Sequence, residues 1–225
     1  MSSEIELKVQ PNLVAYGGPD GVGKDFILKR AQERLGQEAM TIIDPDPLKR
    51  LYPGQEEITK RIEARPTAFM FARGFGLALP VVEQALNRGE VVVVKRPFNF
   101  LMHALRTDSP HVSLLKKMIA SGVATNGLWP AVWLEITAKA EDIVENLKGR
   151  EIEGVNTSSD PAAELEQVER YLCAQHQVLE FVKQVPATGN VRFVEISNPR
   201  VDPRDMDSAL KVLALQVIQN LPLRG

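Results

Sequence analysis

Short apolar runs alternate with longer amphipathic patterns along the chain. The apolar runs predict strands, and the longer patterns, with apolar positions at helical spacing, predict helices. The predicted strands are residues 13–16, 40–43, 91–94, 131–136 and 191–196. The predicted helices are residues 26–35, 66–87, 139–147, 161–185 and 204–221. Because such alternation is typical of strands joined by crossover helices, we expect an α/β fold with a five-stranded parallel sheet flanked by helices.

The four consecutive valines at residues 91–94 predict a central strand. A continuous β-branched run suits a parallel strand that is covered on both faces. The residues that follow it, Lys95 and Arg96, should lie at the sheet edge where ligands bind. No linker rich in Pro, Gly or Ser divides residues 1–225, so we expect one domain. The polar stretch at residues 149–160 predicts a loop.

Composition excludes several classes of protein. The 225 residues are 44% hydrophobic and 25% charged, as in globular proteins, and the net charge of -2 argues against a surface for nucleic acid. With Cys173 as the single cysteine, no intramolecular disulfide can form. The N-terminus lacks the pattern of a signal peptide, and no segment approaches the roughly 20 apolar residues of a membrane span. We therefore expect a cytoplasmic protein with no membrane partner.

Residues 18–24 match the phosphate-binding pattern G-x-x-x-x-G-K between a predicted strand and a predicted helix. Glycines let backbone N–H groups approach phosphate oxygens, and the dipole of the following helix adds to the attraction. Lys24 is expected to contact the β- and γ-phosphates. The pattern thus predicts binding of a nucleoside di- or triphosphate. The predicted nucleotide-binding residues are Gly18, Pro19, Asp20, Gly21, Val22, Gly23, Lys24, Asp25 and Phe26.

Asp25 departs from the usual pattern, which has Ser or Thr after the lysine. That hydroxyl ordinarily binds Mg²⁺. A carboxylate also binds hard cations, but it repels phosphate oxygens when no metal lies between them. Asp25 is therefore a predicted metal ligand, and we expect nucleotide binding to depend strongly on Mg²⁺.

Four features of the sequence together resemble the thymidylate kinases, a branch of the P-loop nucleoside monophosphate kinases. The first is the loop at residues 18–24, with Asp20 within it. The second is the aromatic segment at residues 69–73, and the third runs from residue 84 through the valine strand to Arg96. The fourth is the spacing and the tail, residues 193–196 followed by a last helix. The resemblance extends over nearly the whole chain. It implies the three-layer P-loop NTPase fold, with a lid at about residues 149–160.

The resemblance also implies roles for individual residues. Asp20 is expected to hydrogen-bond the sugar of the acceptor, and Phe71 to stack on its base. Arg96 is expected to bind the acceptor phosphate, and Arg73 is a further candidate for a phosphate contact. These four residues form the predicted acceptor site.

A second group of implied roles concerns phosphoryl transfer itself. Lys148 and Arg150 resemble the basic lid that closes on the transferring phosphoryl group. Together with Lys24 and Arg96, they are the predicted catalytic residues, because this chemistry depends on positioning and on neutralising negative charge.

The chain departs from the family pattern at several positions. Lys95 replaces the Asp that precedes the Arg, and Pro97 stands where an aromatic residue is common. No Arg-Glu-Pro segment follows the second strand. Asp44 and Asp46, which come after that strand, could supply another carboxylate to a metal or a substrate.

The resemblance implies an ATP-dependent nucleoside monophosphate kinase that uses Mg²⁺ and converts dTMP and ATP to dTDP and ADP. It also implies a homodimer, because members of the family commonly pair. Two alternatives remain open at this point. One keeps the fold and changes the acceptor to another nucleotide, such as a modified deoxynucleotide, to a nucleoside or to another small phosphate-bearing molecule. The other is a non-catalytic nucleotide-binding protein derived from a kinase.

Overall fold

The computed structural model describes residues 6–19, 21–36, 38–45, 68–147, 161–198 and 206–222. The strands are β1 Lys8–Gly17, β2 Met40–Ile43, β3 Val91–Lys95, β4 Leu128–Thr137 and β5 Arg192–Ser197. The α-helices are α1 Lys24–Leu35, α2 Ala68–Asn87, α3 Asn99–Arg106, α4 Val112–Ala120, α5 Ala140–Leu147, α6 Pro161–Gln184 and α7 Met206–Asn220. Short 3₁₀ helices cover Val123–Thr125 and Pro186–Asn190.

The five strands form one sheet in the order β2-β3-β1-β4-β5, and every neighbouring pair is parallel. The predicted five-stranded parallel sheet is therefore confirmed. Strand β1 lies in the middle, between β3 and β4. The loop after β1 consequently emerges at the centre of the carboxyl edge, at the point where the strand order reverses, which is where open α/β sheets bind ligands.

Helices cover both faces of the sheet and form two outer layers. Alternate residues of β1 point to opposite faces, because side chains alternate along a strand. Leu13 and Ala15 belong to a buried cluster with residues of α2, α3, α4 and most of α6. Val14 and Tyr16 belong to a second cluster with α1, α5 and α7. This double covering explains the valine run of β3, whose residues serve both clusters.

Two helices were not predicted from the sequence. α3 and α4 have eight and nine residues, so each makes little more than two turns. A segment that short displays too few repeats for its period to be recognised. Strand β1 also begins earlier than predicted, at Lys8. Pro11 cannot donate a hydrogen bond to a neighbouring strand, but the pairing of β1 with β4 shifts register between Gln10 and Val14 and so accommodates it.

A buried carboxyl group lies in β4, at the start of the phosphate loop. Glu135 is only 6% exposed, and its Oε2 accepts a hydrogen bond of 2.9 Å from Trp133 Nε1. Within the described residues, its Oε1 has no hydrogen-bond partner. The side chain packs so closely on Gly17 that a methyl group there would overlap the carboxylate. Burial, with a smaller contribution from the charge of Glu195, raises the pKa of Glu135 to about 7.

We predict that Glu135 makes the stability of the protein depend on pH. Its pKa in the folded state lies above the usual 4.5, so folding favours the protonated form. The stability it contributes is complete below about pH 4.5 and is lost as the pH rises through about 7. The loss amounts to at most about 3 kcal/mol.

Urea unfolding of the protein and of Glu135→Gln at several pH values tests this prediction. The amide still accepts from Trp133 but does not titrate, so the variant should match the parent near pH 5 and exceed it in stability near pH 8. Glu141→Gln, at an exposed position on α5, is the control and should keep the parental profile. Parallel profiles for the parent and Glu135→Gln would contradict the assignment.

Candidate functional site

Gly18 and Gly23, in the loop between β1 and α1, have positive φ angles, a backbone conformation that other residues rarely adopt. Gly18 has φ 141°, and a Cβ there would lie 2.8 Å from the carbonyl oxygen of Ile136. Gly23 has φ 76° and precedes the first turn of α1, where its carbonyl oxygen accepts a 3.0 Å hydrogen bond from Ile27 N. The N-terminus of α1 therefore opens directly from the loop, as a phosphate site requires.

Two asparagine side chains hold carbonyl groups of the loop. Asn146 Nδ2 donates to the oxygen of Gly21 at 3.0 Å, and Asn198 Nδ2 donates to the oxygen of Val22 at 2.6 Å. Because the N–H and C=O of a planar peptide point in opposite directions, fixing these oxygens also fixes the adjoining N–H groups. The sequence analysis missed both residues. Asn198 had a usable signal, since it follows a predicted strand at the ligand edge.

Lys24 is buried at the end of the loop, and its side chain folds back over it. Its Nζ donates to the oxygen of Pro19 at 3.2 Å, and its own carbonyl oxygen accepts from the hydroxyl of Tyr16 at 2.8 Å. Burial, together with the charges of Asp25 and Glu135, raises the pKa of Tyr16 well above its usual value. The phenol therefore remains a hydrogen-bond donor and ties β1 to the start of α1.

Lys95, at the end of β3, pairs with two carboxylates. Its Nζ lies 2.7 Å from Asp25 Oδ1 and 2.9 Å from Asp44 Oδ2. Burial opposes the charge on Lys95, but the hydrogen bonds and charges of the two carboxylates outweigh it and raise its pKa. From the sequence, Asp25 and Lys95 were two linked departures, one adding a carboxylate near the loop and one removing a carboxylate from the facing strand, and Asp44 was an optional carboxylate. In the structure all three form one contact.

Arg96 adopts a left-handed backbone conformation, with φ 47°. Its N–H continues the pairing of β3 with β1 by donating to the oxygen of Tyr16 at 2.8 Å. The guanidinium Nη2 lies 4.0 Å from Asp44 Oδ1. Non-glycine residues in this conformation are uncommon and cluster at functional sites. The strained turn places Arg96 beside the ammonium of Lys95 at the carboxyl edge.

A small cleft opens beside Arg96, between β2, β3, α2 and α3. Lys95 and Arg96 supply its positive charge and Phe75 an aromatic ring. Asn99 Oδ1 is buried there and has no hydrogen-bond partner among the described residues. The other residues that line it are Asp44, Pro45, Pro97 and Phe100. The lining thus combines two cationic side chains, one carboxylate, aromatic rings and a buried hydrogen-bond acceptor.

Several predicted site residues, or their side chains, lie outside the part of the chain that the structure describes. Asp20, Lys148, Arg150 and the predicted lid at residues 149–160 fall outside the described residues, as does Asp46. Phe71 and Arg73 belong to α2 by their backbone, but their side chains are outside the described part. Their roles remain predictions. Phe26 lies on α1 with its ring mostly exposed.

The surroundings of Asp25 do not fit a bound Mg²⁺ ion. The ammonium of Lys95 already occupies Asp25 Oδ1, and it would repel a divalent cation placed on the same carboxylate. No group of three or more His, Cys, Asp or Glu side chains within the described ranges could hold a metal. The predicted role of Asp25 as a metal ligand thus gains no support from its neighbours.

In the described part of the chain, no helix combines the length and the apolar character that crossing a membrane requires.

The sequence matches no family model and no curated protein. Among solved structures, the chain is similar to a crystal structure of thymidylate kinase from Ehrlichia chaffeensis, with a TM-score of 0.57 and 12% sequence identity. The likeness covers 92% of this chain and 96% of that one. At this identity it shows the fold alone, and the chain has a thymidylate kinase-like fold.

Proposed function

We propose that this chain is an ATP-dependent nucleoside monophosphate kinase, with dTMP as the first acceptor to test. The proposal is carried by one observation: the phosphate loop with Lys24 and the strained turn with Arg96 follow neighbouring strands, and Arg96 N bonds directly to the oxygen of Tyr16. Two cationic phosphate sites side by side suit a donor and an acceptor that both carry phosphate. The likeness in fold supports the same class of reaction.

In this proposal the loop N–H groups and Lys24 hold the β- and γ-phosphates of ATP. Arg96 holds the phosphate of the acceptor at the mouth of the cleft that Phe75 and Asn99 line. An oxygen of the acceptor phosphate attacks the γ-phosphorus while the bond to the leaving ADP breaks, without a covalent enzyme intermediate. The side chains supply positioning and positive charge. No step is assigned to a metal ion, because the surroundings of Asp25 do not fit one.

Other parts of the proposal rest on the family resemblance. Asp20, Phe71 and Arg73 would complete the acceptor site, and Lys148 and Arg150 would close over the transferring phosphoryl group. A homodimer and a cytoplasmic location belong to the same proposal. Pro97 lines the cleft where an aromatic residue is common in the family, so an acceptor other than dTMP is a specific alternative.

We predict release of ADP from ATP in a coupled assay when a nucleoside monophosphate is present. A panel of deoxynucleotides and ribonucleotides, starting with dTMP, identifies the acceptor. Lys24→Met should lower kcat/KM by at least about 100-fold, because it removes a charge that stabilises the transferring phosphoryl group. Lys29→Met, at an exposed position on α1, should leave activity unchanged. Absence of ADP with every acceptor would reject the kinase proposal.

The ion pair of Asp25 with Lys95 favours a second candidate, a nucleotide-binding protein without catalytic activity. In that case the carboxylate beside Lys24 marks a phosphate site that no longer supports transfer.

Asp25→Ser distinguishes the two candidates. If the protein is a kinase, the parent should already be active and the variant should keep that activity, because Asp44 still holds the ammonium of Lys95. Activity that appears only in Asp25→Ser would instead identify the natural chain as a non-catalytic relative. The same coupled assay measures both outcomes, and circular dichroism checks that the variant is folded.

A further inference from the structure

We propose that the ammonium of Lys95 is the fixed cation of the nucleotide-phosphate site, and that nucleotide binding there needs no divalent metal ion. The inference rests on the proposed binding of nucleotide by the phosphate loop. It identifies the ammonium of Lys95 as the charge that neutralises the phosphates. It also reverses the expectation, based on Asp25 alone, that binding depends on Mg²⁺.

The position of Lys95 follows from the sheet. Lys95 pairs with Tyr16 in the register of β3 with β1, and the phosphate loop begins two residues after Tyr16. Its Nζ then reaches Asp25, the residue directly after Lys24. The ammonium is therefore anchored beside the first turn of α1, at the end of the loop that receives phosphate oxygens.

The charges at positions 25 and 95 differ from those of the usual pattern in a coordinated way. A hydroxyl at 25 and a carboxylate at 95 together carry one negative charge, which attracts a cation from solution. Here Asp25 and Asp44 both face the ammonium of Lys95, and Arg96 Nη2 lies 4.0 Å from Asp44, so the cations that balance these carboxylates are already part of the chain. A metal ion brought to Asp25 would be repelled by the ammonium of Lys95, which lies 2.7 Å from Asp25 Oδ1.

The two carboxylates hold Lys95 unequally. The Lys95 side chain is 10% exposed and that of Asp44 is 20% exposed, whereas that of Asp25 is 61% exposed. Asp25 can turn into solvent at little cost while Asp44 keeps the ammonium in place. A phosphate oxygen can then take the position of Asp25 Oδ1. Asp25 thus pairs with Lys95 only while no nucleotide is bound.

Calorimetric titration with ATP, in EDTA and in Mg²⁺, tests the proposal. The parent protein should bind in both buffers with dissociation constants within about threefold of each other, since its own ammonium replaces the metal. Lys95→Met should bind at least about tenfold more weakly in EDTA and recover with Mg²⁺, because Asp25 and Asp44 are then left without their cation. A purely structural defect would weaken binding in both buffers.

A charge-restoring variant gives a second test. The double change Asp25→Ser with Lys95→Asp recreates the hydroxyl and carboxylate arrangement, so it should bind ATP in Mg²⁺ and fail to bind in EDTA. Lys29→Met is the matched control. It removes a lysine from α1 whose Nζ lies 4.0 Å from Glu33 on the surface, and it should behave as the parent in both buffers.

Each outcome separates this inference from the function on which it rests. Binding by the parent in Mg²⁺ but not in EDTA would overturn the inference and leave the nucleotide site intact. Binding by Lys95→Met in EDTA as tight as that of the parent would also overturn it. If the parent binds nucleotide in neither buffer, the proposed function itself fails.

Discussion

The arrangement of charges at the site depends on the ion pair between Lys95 and Asp25. It joins the end of β3 to the first turn of α1, and through Asp44 it includes the residue that follows β2. The pair can form only because β3 lies next to β1, from which the phosphate loop emerges. Sheet order thus brings together two residues 70 positions apart (95 − 25), and their opposite charges give the site a cation that no ligand has to supply.

Side chains around the phosphate loop hold its backbone polar groups where phosphate is expected to bind. Tyr16 bonds to the backbone of Lys24, and Asn146 and Asn198 bond to carbonyl oxygens of the loop. Glu135 lies beneath Gly17, buried and with a pKa near neutrality. A charged carboxylate there would oppose phosphate from below, whereas a protonated one would not. The core of β4 is therefore coupled electrostatically to the loop above it.

The sequence located the five strands because each contains a short run rich in apolar residues, a pattern visible without any knowledge of contacts. It also located the phosphate loop, whose glycines have a local steric reason. It could not predict α3 and α4, which are too short to display a period. Nor could it show that Asp25, Asp44 and Lys95 meet, because that contact is created by strand order rather than by spacing along the chain. Asn146 was missed for the same reason.

In the proposed site, Lys95 takes the place of a metal ion at the phosphates. The most direct measurement is a crystal structure of the protein with a non-hydrolysable ATP analogue, grown in EDTA. We expect Lys95 Nζ to lie about 3 Å from a phosphate oxygen, with the carboxylate of Asp25 turned away from it. Nucleotide seated in the loop while Lys95 remains paired with Asp25 and contacts no phosphate would contradict this expectation.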